Sequence, residues 1–287
     1  MLLRPGVVKE VACLDGSGAG SRCLGVQAGI SSRVEATLYA DQAPRAVQFE
    51  VLVIVTKHLQ SIGRAALDLL YPPRCVLCQR AGLFLCDECV ERLPRAEGRR
   101  CEVCWLPLRH DWFCYACNEH PSSLTGLRSV FRYEGDVRRL VHAFKFGGRS
   151  CLAEALSQQL YEAYQQHGLD VDAVAAVPLT GVRRRTRGYN QAALLARNLS
   201  RWLDLPYVEP LSRRGRAAPQ AQSPSAEQRR ANVHGAFAIR DAASIEGRRV
   251  LLIDDVATTG ATLNACATAL LDAGAASVHG LTLARED

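Results

Sequence analysis

The 287-residue chain has no run of about 18 apolar residues, and its best apolar stretch, 51–55, is far too short to cross a bilayer. No spanning helix is expected, yet 48% of the residues are hydrophobic, ample for one large core or two modest ones. A basic start followed by an apolar segment and a small-residue cleavage site is missing from the first thirty residues, so the cytoplasm is the expected compartment. Neither Gly-x-x-x-x-Gly-Lys-Ser/Thr nor Gly-x-Gly-x-x-Gly occurs, which removes the Walker and dinucleotide-binding phosphate loops. Methionine occurs only at Met1, and no periodic segment repeats before Val51. Residues 1–60 are expected to be an extension without fold, with translation starting downstream near Val51.

Cysteine is what the chain does have. Eight of its twelve cysteines form four Cys-x-x-Cys pairs: Cys75 with Cys78, Cys86 with Cys89, Cys101 with Cys104, and Cys114 with Cys117. Two residues between thiolates let both bind one tetrahedral ion from a tight turn, and no thioredoxin-like pattern accompanies any pair. Zinc, not a redox dithiol, is therefore expected, with eight thiolates filling two structural sites and leaving no open position for catalysis. The short spacers favour pairing along the chain, Cys75, Cys78, Cys86 and Cys89 on one ion and Cys101, Cys104, Cys114 and Cys117 on the other; interleaved pairing is the competitor. Trp105, Trp112, Phe113 and Tyr115 with Arg99, Arg100 and Arg109 would stack bases and touch phosphates if exposed, whereas packing on the neighbouring domain is the favoured reading. Cys151 and Cys266 read as small buried hydrophobes.

Before the cysteines, 58–70 reads as an amphipathic helix with Leu59, Ile62 and Ala66 on one face, stopped by Pro72-Pro73. The helix and zinc module together span 61–120, and composition changes near Leu124. From there strands and helices alternate: a strand over 130–133, helices over 137–144, 151–166 and 191–202, and strands over 173–177, 207–211, 237–239 and 278–283. Such alternation over 124–287 predicts an α/β domain with a parallel sheet, helices on both faces and a ligand at the carboxyl edge.

Two segments carry the chemistry. Val250-Leu251-Leu252-Ile253 reads as a doubly covered strand ending in Asp254 and Asp255, and Thr258-Thr259-Gly260-Ala261-Thr262 then leads into a helix over 263–273 stopped by Gly274. Unpaired amides and the positive helix end would favour an anion there. The second segment, 178–191, follows a strand and reads as a loop carrying four arginines, Arg183, Arg184, Arg185 and Arg187. Guanidinium forks at that sheet edge suit a pyrophosphate, against the ordinary alternative of a solvated arginine face. The net charge of +6 also points to phosphate-bearing partners.

The acidic pair and Thr/Gly loop resemble the PRPP-binding motif of type I phosphoribosyltransferases. By that resemblance Asp254 and Asp255 hold the ribose hydroxyls. Val256, Ala257, Thr258, Thr259, Gly260, Ala261 and Thr262 form the loop around the 5′-phosphate, and Mg²⁺ accompanies PRPP. Purine-salvage members often carry an Asp where Thr258 stands, so the acceptor is not readable. Pro178-Leu179-x-Gly181-x-Arg183, Arg187-Gly188-Tyr189-Asn190-Gln191, the stretch 225–237 and the upstream cysteines are similar to the ComF family, whose members join a double zinc ribbon to a phosphoribosyltransferase domain. This implies a role in DNA uptake and places Arg183, Arg184, Arg187, Gly188, Asn190 and Gln191 on the pyrophosphate side, with 213–230 as a mobile hood. Two functions follow from the likeness: phosphoribosyl transfer, or a non-catalytic nucleotide-sugar sensor or adaptor for single-stranded DNA or DNA-uptake proteins.

Overall fold

The computed structural model describes residues 72–108, 114–146, 148–213 and 236–287. The expected extension 1–60, the helix over 58–70, Trp112, Phe113, Arg109 and most of the expected hood lie outside them.

The cysteine segment contains two copies of one small device. After each first Cys-x-x-Cys pair the chain turns through a left-handed residue, Gln79 (φ 62°) or Trp105 (φ 60°), whose amide donates back to Cys75 or Cys101 at 2.9 Å. The second pair of each copy opens a single helical turn, α1 (Asp87–Glu91) behind Cys86 and α2 (Tyr115–Glu119) behind Cys114. Backbone amides are thus satisfied locally, with little apolar area spent on the module itself.

Beyond it come β1 (Gly126–Arg132), α3 (Gly135–Phe146), α4 (Leu152–His167), β2 (Ala173–Ala176), α5 (Gly181–Arg187), α6 (Gln191–Leu203), β3 (Tyr207–Val208), β4 (Leu211–Arg213), β5 (Phe237–Ile239), β6 (Arg249–Ala257), α7 (Ala261–Asp272) and β7 (Ser277–Arg285). Five strands make a wholly parallel sheet in the order β1-β7-β6-β2-β3, and β4 with β5 forms a separate antiparallel pair. One face packs Phe144, Leu156 and Leu195 of α3, α4 and α6 on Leu251 and Ile253; the other packs Leu263, Cys266 and Leu270 of α7 on Val250 and Leu252. The alternation of Val250 to Ile253 between two apolar faces is why this run contains no polar residue. From β6 the chain crosses by α7 to β7, and from β2 by α6 to β3 in the opposite direction. The crevice between the carboxyl ends of β6 and β2 is therefore the switch point of the sheet.

The zinc module straddles one sheet edge. Residues 94–96 run antiparallel to β1, with Ala96 donating to Val130 at 2.9 Å and Arg132 to Pro94 at 2.8 Å, so the open side of this strand is covered. Val76, Leu85 and Leu93 enter the core of one face, and Trp105 enters that of the other.

Several expected elements are corrected. The segment 178–191 is not a loop throughout. Thr180 accepts from the amide of Arg183, Gly188 closes with φ 78°, and α5 lies between them. The expected strand 207–211 is broken at Glu209-Pro210, its two parts belonging to different sheets. The first strand begins at Gly126, before the expected 130, and the last helix begins at Ala261 rather than 263. The strand bearing the acidic pair runs on through both carboxylates to Ala257, because β7 keeps pairing with it there.

Candidate functional site

Each set of four cysteines gathers in chain order, Cys75, Cys78, Cys86 and Cys89 in one cluster and Cys101, Cys104, Cys114 and Cys117 in the other, with sulfurs within 4.8 Å of one another. A tetrahedral zinc at about 2.3 Å from each sulfur requires sulfurs about 3.8 Å apart. Cys78 to Cys86 is 3.7 Å, Cys101 to Cys117 is 3.8 Å and Cys104 to Cys114 is 3.4 Å. The donor sets fit two structural zinc ions. Of the side chains expected to meet nucleic acid, Trp105 is only 8% exposed and donates from Nε1 to Ser129 O at 3.2 Å. Arg100 is also buried, its guanidinium bidentate on Asp287 at 2.7 and 3.1 Å. Neither is available for stacking or phosphate contact; Tyr115, 74% exposed, is.

At the switch point β6 outlasts β2: Ile253 pairs with Ala176, the last residue of β2, and Asp254 to Ala257 overhang. The strand alternation carries through the acidic pair, so the two carboxylates leave the sheet on opposite faces. Asp255, 7% exposed, follows Leu251 and Ile253 towards α3, where Oδ1 meets Lys145 Nζ at 2.7 Å. Asp254 follows Val250 and Leu252 towards α7. Burial, and then the charge of Asp255, push it up to about 7, against the Asp255 amide that donates to its Oδ1 at 2.8 Å. Arg213 of β4 lies over the Phe237 ring and within electrostatic reach of Asp254. Burial and the neighbouring charge of Arg183 hold Arg213 below its usual value.

Behind the overhang, Thr258 and Thr259 lead to Gly260, whose φ of 75° turns the chain into α7. A Cβ at Gly260 would meet nothing within 4 Å, so it is the left-handed backbone that calls for glycine. Thr259 Oγ1 accepts from the amide of Ala261 at 3.3 Å, and Ala261 and Thr262 form the first turn of the helix. On the β2 side, no residue of α5 is buried, so Arg183, Arg184 and Arg185 stand in solvent, while Arg187 lies over the Phe146 ring. Gln191 faces inward, accepting from Arg187 Nη1 at 3.2 Å and donating to Lys145 O at 3.3 Å. Asn190 donates to Val177 O at 3.1 Å, and its buried Oδ1 has no partner among the described residues. Acidic pair and threonine turn follow the carboxyl end of β6, and the α5 arginines follow that of β2, the neighbouring strand. Sequence reasoning missed Lys145, because a lysine in the last turn of a helix ordinarily serves the helix dipole and needs no other explanation.

Residues 66–118 match the double zinc ribbon domain and 151–287 the phosphoribosyl transferase domain. DNA utilization protein YhgH of Escherichia coli strain K12 is 34% identical over 224 residues, covering 75% of this chain and 97% of that protein. The chain belongs to the ComF family. Competence protein F of Haemophilus influenzae is 31% identical over 222 residues, 70% of this chain and 97% of that one. Competence protein ComFC of Bacillus subtilis is 31% identical over 209 residues, 70% and 84%. Among solved structures, the allosteric regulatory enzyme of purine biosynthesis has 20% identity and a TM-score of 0.35 over 49% of this chain, spanning 29% of its own. Adenine phosphoribosyltransferase of Thermoanaerobacter pseudethanolicus has 19% identity and a TM-score of 0.32 over 49% and 83%. The fold is that of a type I phosphoribosyltransferase preceded by a cysteine-rich zinc ribbon. Among the described residues no helix is long and apolar enough to cross a membrane.

In this ComF-family chain the elevated Asp254 has a measurable consequence. A carboxyl held up to about 7 in the fold but near 4 when unfolded takes up a proton on folding between those values. Its contribution is therefore fully favourable below pH about 4, shrinks as pH rises and is gone above about 7. Thermal melts from about pH 5 to about pH 9 should show the parent losing stability towards pH 7 relative to Asp254→Asn. Parallel curves for the two proteins would refute the upward shift of Asp254.

Proposed function

We propose that the switch-point crevice binds a 5-phosphorylated pentose bearing a diphosphate, PRPP or a close relative, and transfers its phosphoribosyl group to an acceptor. The observation that carries this reading is the joining, at one sheet edge, of an acidic pair to a threonine turn that opens a 12-residue helix through a left-handed glycine. Amides and hydroxyls of Thr258, Thr259, Ala261 and Thr262 receive the 5-phosphate, helped by the helix dipole. Asp254 and Asp255, leaving the strand on opposite faces, hold the ribose hydroxyls from two sides. Arg183, Arg184 and Arg187 receive the diphosphate, with Gly188 shaping their helix end and Asn190 and Gln191 bracing it. As the bond from C1 to the diphosphate oxygen breaks, the carboxylates stabilise the cationic ribose and the guanidinium groups take up the charge of the departing diphosphate. The acceptor then bonds to C1, and its proton passes to solvent or to the departing diphosphate. Mg²⁺, for which the two carboxylates supply suitable hard oxygen donors, would screen the diphosphate when bound.

Titration calorimetry with PRPP and Mg²⁺, and exchange of labelled pyrophosphate into PRPP during an acceptor screen, test this reading. Binding should weaken at least about 100-fold in Asp254→Asn/Asp255→Asn, a loss of roughly 3 kcal/mol. No heat from PRPP, or an unaltered double variant, would sink it. The exposure of the α5 arginines supports a second reading, an adaptor for single-stranded DNA, in keeping with the name of the Escherichia coli relative, a DNA utilization protein. Binding of PRPP with no exchange under any acceptor would favour that alternative, or a sensor.

A further inference from the structure

The largest fully buried side chain of the described residues is a cation the proposed reaction does not use. Arg285, at the end of β7, is 1% exposed, and among the described residues no carboxylate lies within ion-pair distance of it. Its guanidinium instead spans two backbone carbonyls. Nε donates to the carbonyl of Cys104, a ligand of the second cysteine cluster, and Nη1 donates to the carbonyl of Ala257, both at 3.0 Å. Ala257 is the last residue of β6, immediately before Thr258, and its carbonyl also accepts from the amide of Glu286 at 2.9 Å. Arg285, Cys104, Cys117, Thr258 and Thr259 line one cavity of about 680 Å³. A guanidinium buried without a carboxylate costs stability that an apolar side chain would spare.

Other hydrogen bonds also tie the second cysteine segment to the domain. Arg100 ties Trp105 O, at 3.0 Å, to Asp287, two residues beyond Arg285. On the other side Asn264 of α7 accepts from the Ser123 amide at 2.6 Å, and Ser123 is 2.8 Å from Thr268. These bonds reach the chain end and the body of α7. Arg285 reaches the residue at which the threonine turn begins.

We propose that Arg285 is a positioning residue that couples the second zinc centre to the phosphate turn, so that zinc at Cys101, Cys104, Cys114 and Cys117 and a sugar phosphate at Thr258 to Thr262 bind cooperatively. A tetrahedral ion fixes the Cys104 backbone, the guanidinium transmits that position to Ala257, and the turn is held ready for an anion. Coupling of this kind is reciprocal, so each ligand retains the other. The proposal rests on the reading of the threonine turn as a phosphate site, and its test separates the two.

The full zinc-loaded chain is exposed to a chelator and an alkylating reagent, with and without ribose 5-phosphate at a concentration shown by calorimetry to saturate. Alkylation of each cysteine is followed by mass spectrometry. In the parent, ribose 5-phosphate should slow alkylation of Cys101, Cys104, Cys114 and Cys117 at least about five-fold and leave Cys75, Cys78, Cys86 and Cys89 unchanged. Arg285→Met should still hold two zinc ions but lose the selective protection and bind ribose 5-phosphate about five-fold more weakly. Arg285→Lys, which can keep one carbonyl bond, should recover part of both effects. If the methionine variant does not fold, the parent and the lysine variant still decide the matter. Absence of heat with ribose 5-phosphate would overturn the reading of the turn and the coupling with it. Heat accompanied by unchanged alkylation of all eight cysteines would overturn the coupling alone, as would equal protection of both clusters.

Discussion

Removing zinc from both cysteine clusters is expected to unfold the module over 72–121 and to lower the melting temperature of the remaining domain by more than about 10 °C. The module has little core of its own. Its buried side chains, Val76, Leu85, Leu93 and Trp105, belong to clusters completed by the sheet and its helices. The local order that places them comes from turns whose sulfurs converge on one point, and without an ion nothing bonds the four thiols to one another there. Zinc supplies roughly 10 kcal/mol or more to small cysteine-rich modules, far above the worth of the few hydrogen bonds within each knuckle. Losing the module also uncovers β1 and removes Trp105 from one core, and each kcal/mol corresponds to about 2–4 °C for a domain of this size. Calorimetric melting before and after chelation, with hydrogen exchange at the Ala96 and Arg132 amides, reads both effects. An apo protein melting within a few degrees of the zinc form, with those amides still protected, would show that apolar packing alone holds the module.

Much of this arrangement was legible in the chain because the strongest signals are local. Four Cys-x-x-Cys pairs with short spacers identify two four-sulfur centres whatever lies around them, and Val250 to Ile253 identifies a strand covered on both faces. What stayed illegible depends on tertiary placement. The seven-residue helix α5 buries none of its side chains, so it carries no apolar periodicity; only Thr180 and Gly188, spaced as a cap and a stop, announced it. Two adjacent aspartates in one-dimensional text look like neighbours, but the strand continues past them and alternation sends them to opposite faces. Lys145, Trp105 and Arg285 are defined by partners 110, 24 and 181 positions away, at Asp255, Ser129 and Cys104, and no spacing rule reaches so far.

The same long-range pairing makes Lys145 the single substitution in the crevice with the largest expected effect on stability. Its ammonium lies 2.7 Å from Asp255, and the two side chains are only 18% and 10% exposed. Replacing Lys145 with Met keeps an unbranched aliphatic stem but leaves a buried carboxylate without its cation. Breaking one side of such a pair costs about 3–5 kcal/mol, whereas replacing both members with neutral groups is often close to neutral. Lys145→Met should therefore shift the urea midpoint markedly. Asp255→Asn should shift it less, because the long lysine can carry its charge out to water. The double variant should return to within about 1 kcal/mol of the parent, giving a coupling of several kcal/mol in a double-mutant cycle. Equal and additive losses would mean that the pair is solvent-screened and that Asp255 is not held by Lys145. If the cycle closes as expected while PRPP heat is lost in both variants that carry the Asp255→Asn change and kept in Lys145→Met, the lysine belongs to the scaffold and the aspartate to the ligand.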